Sequence, residues 1–205
     1  ISFFKSFLLI GLMFGAYSTS DVTRVKITCN ELGLSFILPA AFTTLDSLQM
    51  DALSKRGEKA VNETFNKKTL QGWQPACLNL QDSFKRMVLI TVIPVKEAIA
   101  QDGTVDKFID KTFKDGNDFL IQRIKSRLNI DIDENETAKQ TEITIAGFKV
   151  RKNSFTLING ARLLFFSRYY FFQKNGKLFL LSFLGSPKAN DNEEIVNAIE
   201  SAKTI

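Results

Sequence analysis

The stretch Ala161–Gln173, ARLLFFSRYYFFQ, holds six aromatic residues, and only Ser167 and Arg168 interrupt its apolar middle. Successive side chains of a strand point to opposite faces. Leu163, Phe165, Ser167, Tyr169 and Phe171 would therefore share one side, and Leu164, Phe166, Arg168, Tyr170 and Phe172 the other. Both sides are apolar. The same holds for Met87, Leu89, Thr91 and Ile93 against Val88, Ile90 and Val92, and for Leu178, Leu180 and Leu184 against Phe179, Leu181 and Phe183. A sheet with one wet face leaves alternate residues polar. Three doubly apolar strands therefore call for a sheet covered on both faces. A membrane-spanning reading fails on Arg168 in mid-run and on the turns around it.

The rest of the chain supplies the cover. Leu32–Leu38 reads as a strand stopped by Pro39. Apolar residues at 45, 48, 52 or 53, 60 and 61 keep a rough helical period, weakened by Gly57. The end of LQGWQPACLNLQ and the whole of RMVLITVIPV read as strands. From Thr104, a plausible cap, apolar side chains at 105, 108, 109, 113, 119, 120, 121, 124 and 128 predict a long amphipathic helix with a break at Gly116. TEITIAGFKVRKNSFTLI leads through Asn159-Gly160 into the aromatic strand, and Lys174-Asn175-Gly176 leads on to KLFLLSFLG. Asn-Gly between apolar runs is a hairpin signal because the turn needs positive φ. A meander results. Asn190 as cap, Glu193 three residues on, and Ile195, Val196 and Ile199 close the chain with a helix.

The fold class predicted is α+β, a three-layer α/β/α sandwich whose mainly antiparallel meander sheet carries helices on both faces. The short strand LSFILP and the terminal LFLLSFLGSPKANDNEEIVNAIESAK carry a resemblance to a known family. The chain resembles the PsbP-like superfamily, which includes the photosystem II extrinsic subunit PsbP, a nuclear Ran-binding protein and many small secreted bacterial proteins. The resemblance implies the sandwich fold and a binding or accessory role, and carries over no functional residue.

The first segment, ISFFKSFLLIGLMFGAYSTSD, sets one cation, Lys5, before an apolar run from Phe7 to Ala16 and then small polar residues. That is the layout of a secretory signal. The run is shorter than the roughly 20 residues that span a bilayer. The expected organisation is a signal peptide over 1–20 and one domain over 21–205, with a secreted or periplasmic location. In such a compartment Cys29 and Cys77 are a candidate disulfide. It would close a loop of about fifty residues, worth roughly 4 kcal/mol. Two separate buried thiols are the alternative reading. Asn62-Glu63-Thr64 and Asn135-Glu136-Thr137 fit the glycosylation acceptor pattern.

The formal charge of +5 is scattered among acids without a basic stripe, which argues against a nucleic-acid partner. No His occurs, so Ser-His-Asp and Cys-His catalysis and the common His-bearing zinc sites are excluded. No phosphate-binding glycine loop or nucleophile elbow is present, and no cofactor is expected. Asp131, Asp133, Asn135 and Glu142 occupy positions 1, 3, 5 and 12 of a calcium-loop pattern, but Glu136 stands where the turn requires Gly. A solvated acidic loop is the favoured reading. Arg168 is a weak ligand-binding candidate, since a charge within a doubly apolar strand must be paired or reach solvent; a structural ion pair is favoured. Trp73 with Pro75 is either a recognition patch or core. The functional expectation is a non-catalytic binding or accessory domain with a protein partner. A carrier of a lipid or small apolar ligand is second, and a carboxylate-dependent hydrolase third.

Overall fold

The computed structural model describes residues 24–39, 41–53, 55, 74–133 and 137–205, with the backbone alone at 74–77 and 79. The chain runs β1 (Arg24–Cys29), β2 (Leu34–Pro39), β3 (Thr43–Thr44), helix α1 (47–53), β4 (Gln74–Gln81), β5 (Met87–Pro94), α2 (Val95–Asp102) and α3 (Val105–Leu128). It continues through β6 (Ala138–Ile145), β7 (Phe148–Asn159), β8 (Arg162–Lys174), β9 (Lys177–Leu184), α4 (Asn192–Glu200) and β10 (Lys203–Thr204). Seven strands form one sheet in the order β3-β4-β5-β9-β8-β7-β6, and three form a second in the order β1-β2-β10. Every pairing is antiparallel.

The large sheet is covered on both faces, as the doubly apolar strands β5, β8 and β9 require. On one side Met87, Leu89, Ile93, Phe165, Tyr169 and Leu180 pack with α1, α2 and α3. On the other, Val88, Ile90, Tyr170, Phe172, Phe179 and Phe183 pack with α4 and with Leu34, Phe36 and Leu38 of the small sheet. The second cover is thus a helix and a small sheet side by side. The architecture is α+β, an α/β/α sandwich.

Strict alternation along β8 fails at one point. The register shifts between Leu157 and Ile158, so that Phe165 pairs with Leu157 and Leu163 with Ile158. Leu164 is the extra residue of a β-bulge. In consequence Leu164 and Phe165 both face the α3 side, and Leu163 joins Phe166 on the α4 side. The sequence pattern placed Leu163 and Leu164 on the opposite faces.

Helix α3 forms where its periodicity predicts. Thr104 caps it, its hydroxyl accepting from the Lys107 N–H at 3.2 Å, and Asn129 ends it in the left-handed region. Gly116 does not break it. The glycine lies buried in mid-helix, beside Asn117, and the packing of Phe113 on Phe171, centroids 5.1 Å apart, outweighs the roughly 1 kcal/mol that an interior Gly costs.

At the end of the β8–β9 hairpin, Asn175 and Gly176 both have positive φ, as a tight two-residue turn needs. Ala146 and Gly147 do the same between β6 and β7, splitting the run that reads as one strand-rich segment. Pro39 closes β2 within the ladder, opposite Arg24, because β10 reaches only Leu34 and Ser35 on the other side. Four elements lie outside the sequence reading: β1, β3, α2 and β10. The cap of α4 is Asp191, not Asn190. Of the helix expected over 45–61, residues 47–53 and 55 are helical; its remainder, the segment 1–20, Asn62 and Trp73 lie outside the described residues.

Candidate functional site

The α4 side of the molecule carries a groove of about 690 Å³ between that helix and the small sheet. Register explains its lining. Residues directly opposite in an antiparallel pair share a face. Arg24 stands opposite Pro39, Lys26 opposite Ile37, and Lys203 opposite Ser35. The face turned away from the core therefore sets an apolar strip on β2 between cations from β1 and β10. Ile37 is 55% exposed there. Helix α4 forms the wall with Ala198, Asn197 and Ser201. Among the described residues the groove contains one carboxylate, Glu194, which is ion-paired to Arg24. Lys26 and Lys203 have no ion-pair partner among the described residues.

A second, shallower concavity of about 740 Å³ lies at the other end of α4, lined by Ile158, Arg162, Phe166 and Glu193 among others. Arg168 is close to it but turned inward. Its Nη1 donates to Thr156 Oγ1 and to the Ser167 carbonyl, each at 2.9 Å, and its Nη2 donates to Glu193 Oε1 at 2.8 Å. The guanidinium stacks over Phe166 at 3.9 Å. These bonds occupy the fork and tie β8 to the first turn of α4.

A buried charge cluster that the sequence reading lacks joins the β4–β5 loop to α4. Arg86, 2% exposed, donates from Nε to Asp82 Oδ2 at 2.7 Å and from Nη1 to Asp191 Oδ1 at 2.6 Å. Asp82 also accepts from the Arg86 backbone N–H at 2.9 Å. The Asp191 carboxylate is thereby drawn from the helix N–H groups it could have capped, and α4 is locked to the β4–β5 loop. At the other end of α4, Glu200 accepts from Tyr170 Oη at 2.8 Å and from Lys152 Nζ at 2.5 Å. Burial first, then the Glu200 carboxylate, pushes the Tyr170 phenol well above its ordinary range. Burial does the same to Tyr169. Both ends of α4 are thus clamped, so the groove wall is a rigid element.

Cys29 is buried and disulfide-bonded. Cys77 lies in β4; its side chain is outside the described residues. Asp131 is exposed and paired with Lys125 at 3.3 Å. Glu142 stands in β6 opposite Arg151, and Asn135 and Glu136 lie outside the described residues. Among the described residues no group of three or more His, Cys, Asp or Glu converges as metal ligands would. No described helix is long and apolar enough to cross a membrane.

No family model and no curated protein sequence matches the chain. Two solved structures are similar in fold. One is the solution structure of cyanobacterial PsbP from Synechocystis sp. PCC 6803, with 10% identity over 95% of this chain and all of that one, at a TM-score of 0.43. The other is LpqN of Mycobacterium tuberculosis, described as involved in cell envelope biogenesis, with 10% identity over 91% of this chain and 93% of that one, at a TM-score of 0.34. Neither neighbour tells what this chain binds.

Proposed function

We propose that the chain is a secreted or periplasmic, non-catalytic accessory domain that engages a protein partner through the α4 groove. On this reading residues 1–20 are a removed signal, 21–205 are the mature domain, and Cys29 pairs with Cys77. The observation that carries the proposal is Ile37, a large apolar side chain 55% exposed at the centre of a groove with clamped walls. Its neighbours on the core-facing side of β2, Phe36 and Leu38, are almost wholly buried. Apolar anchors of this kind, in a pocket ringed by polar groups, dominate partner binding. The carrier reading is weaker. Small-ligand sites enclose most of their ligand's surface, whereas Ile37, the apolar anchor of this groove, is 55% exposed. A two-carboxylate hydrolase finds one acid here, already paired.

Native mass spectrometry of the chain and of Ile37→Asp, each taken from its own extracytoplasmic compartment, tests the proposal. A protein-sized adduct on the parent chain that Ile37→Asp lacks is expected. A small-molecule adduct retained by both overturns it in favour of the carrier.

A further inference from the structure

The groove has a charge pattern that its apolar strip alone would not require. We infer that its occupant is an extended acidic segment of the partner chain, bearing an apolar side chain that seats against Ile37; this rests on the groove being the docking site. Among the described residues three cations face the groove, Arg24, Lys26 and Lys203, against one carboxylate. That carboxylate is spent on Arg24. Among the described residues Lys26 and Lys203 then stand without a counter-charge, on either side of β2. Strands in a sheet lie about 4.8 Å apart, so β1 and β10 are roughly 10 Å from each other across β2.

Lys26 is opposite Ile37 and Lys203 opposite Ser35, two residues along β2, so the two cations start roughly 12 Å apart at the backbone, a spacing that matches a chain segment whose acids flank an apolar residue. In an extended segment alternate side chains share one face and repeat every 7 Å or so, so acids two positions to either side of an apolar residue stand roughly 14 Å apart, within reach of both lysine side chains. Ser35, Asn197 and Ser201 add polar side chains along the floor and wall, able to meet the segment's peptide groups. A single-chain lipid anion shares the negative charge, but its tail would meet a described lining in which cations and polar side chains surround Ile37 and Pro39, at a cost set by the polar groups it would cover. The polar donors along the wall would also gain nothing from it.

Fluorescence anisotropy on the full, disulfide-intact chain tests the occupant's chemistry. The probes are two fluorescein-labelled synthetic nonapeptides, Gly-Ser-Glu-Ser-Leu-Ser-Glu-Ser-Gly (the Glu/Leu peptide) and the same sequence with Lys for each Glu (the Lys/Leu peptide), with phosphatidylglycerol vesicles as a competitor. Saturable binding of the Glu/Leu peptide is expected, weakened by roughly tenfold or more in Lys26→Glu/Lys203→Glu and by added salt. The Lys/Leu peptide should not bind. Lys96→Glu/Lys139→Glu, with the same change in net charge on exposed sites elsewhere, should leave affinity within about twofold. Equal binding of both peptides, an equal loss in the two double variants, or vesicles binding where the Glu/Leu peptide does not, overturns the inference. A protein adduct dependent on Ile37 that survives Lys26→Glu/Lys203→Glu would leave the docking site standing and remove only its acidic occupant.

Discussion

Replacing Arg86 by Met removes a charge while keeping most of the side chain's length, and the structure says what is left behind. The Asp82 side chain is fully buried. Without the guanidinium it keeps one described hydrogen bond, from the residue 86 backbone N–H at 2.9 Å. Stranding one partner of a buried ion pair costs about 3–5 kcal/mol. Loss of the cation–π contacts to Phe42 and Phe84, at 5.6 and 5.4 Å, adds about 0.5–1 kcal/mol, part of which the Met thioether returns. Asp191 is different. Its side chain is 36% exposed, so water replaces the lost partner, and Asp191→Asn should cost no more than about 1 kcal/mol. Asp82→Asn added to Arg86→Met keeps the acceptor for the backbone N–H and removes the stranded charge. The double variant should therefore recover roughly 2 kcal/mol relative to Arg86→Met. Urea unfolding midpoints at neutral pH, at unchanged m-value, measure all three. The reasoning fails if Arg86→Met stays within about 1 kcal/mol of the parent, or if the double variant is no more stable than Arg86→Met.

Further outcomes follow from the same packing. An added Cβ at Gly185 would lie 2.8 Å from both Asn192 Oδ1 and Phe166 Cδ1; Gly185→Ala should therefore cost about 1–3 kcal/mol, read as a lowered Tm. The amides of Asn117 and Asn153 are buried and bond each other at 2.8 Å, so Asn153→Leu alone should lose about 1–3 kcal/mol. The pair Asn117→Leu/Asn153→Leu should lose less than the two single losses together, by chemical denaturation. Tyr169 and Tyr170 hold their protons in the folded chain above the pH at which free tyrosine, near 10, ionises. The unfolded state then binds fewer protons, so their stabilising effect is complete below about pH 10 and is lost as pH rises further. The slope is about 1.4 kcal/mol per pH unit for each tyrosine. Tyr170→Phe should remove one such contribution from a plot of stability against pH between about 9.5 and 11; an unchanged slope would contradict the assignment.

The sheet was legible because its evidence is local. Both faces of β5 and β9 alternate without interruption, and Asn175-Gly176 states its turn in two letters. The faces of β8 were legible only from Phe165 onward, since a bulge is set by the strand it pairs with and leaves no mark in Leu163-Leu164. Strand β1 was visible as the alternation of Val25, Ile27 and Cys29, a signal present but unread. Helix α2 is hidden because it starts at Val95, directly behind the apolar run of β5. Ala146-Gly147 was unread as a turn, for Ala seldom adopts the positive φ it has there. The groove was not legible at all. It joins Lys26 to Lys203 through the register of β2, and no spacing in the sequence relates those positions. Arg86 was equally silent, because its partner Asp191 lies more than a hundred residues away. Arg168, by contrast, announced itself by interrupting an apolar run. Its bonds to Thr156 and Glu193 are those of the structural ion pair that a buried charge favours.

A photo-activated benzophenone residue in place of Ile37 tests the groove most directly, with the same group in place of exposed Leu48 as the comparison. Irradiation should be carried out in cells that make the chain, in the compartment where it resides. A single protein adduct from position 37 and none from position 48 is the result expected of a partner seated against β2 and α4. Adducts of the same pattern from both positions, or none from 37 while the chain is folded, would contradict it.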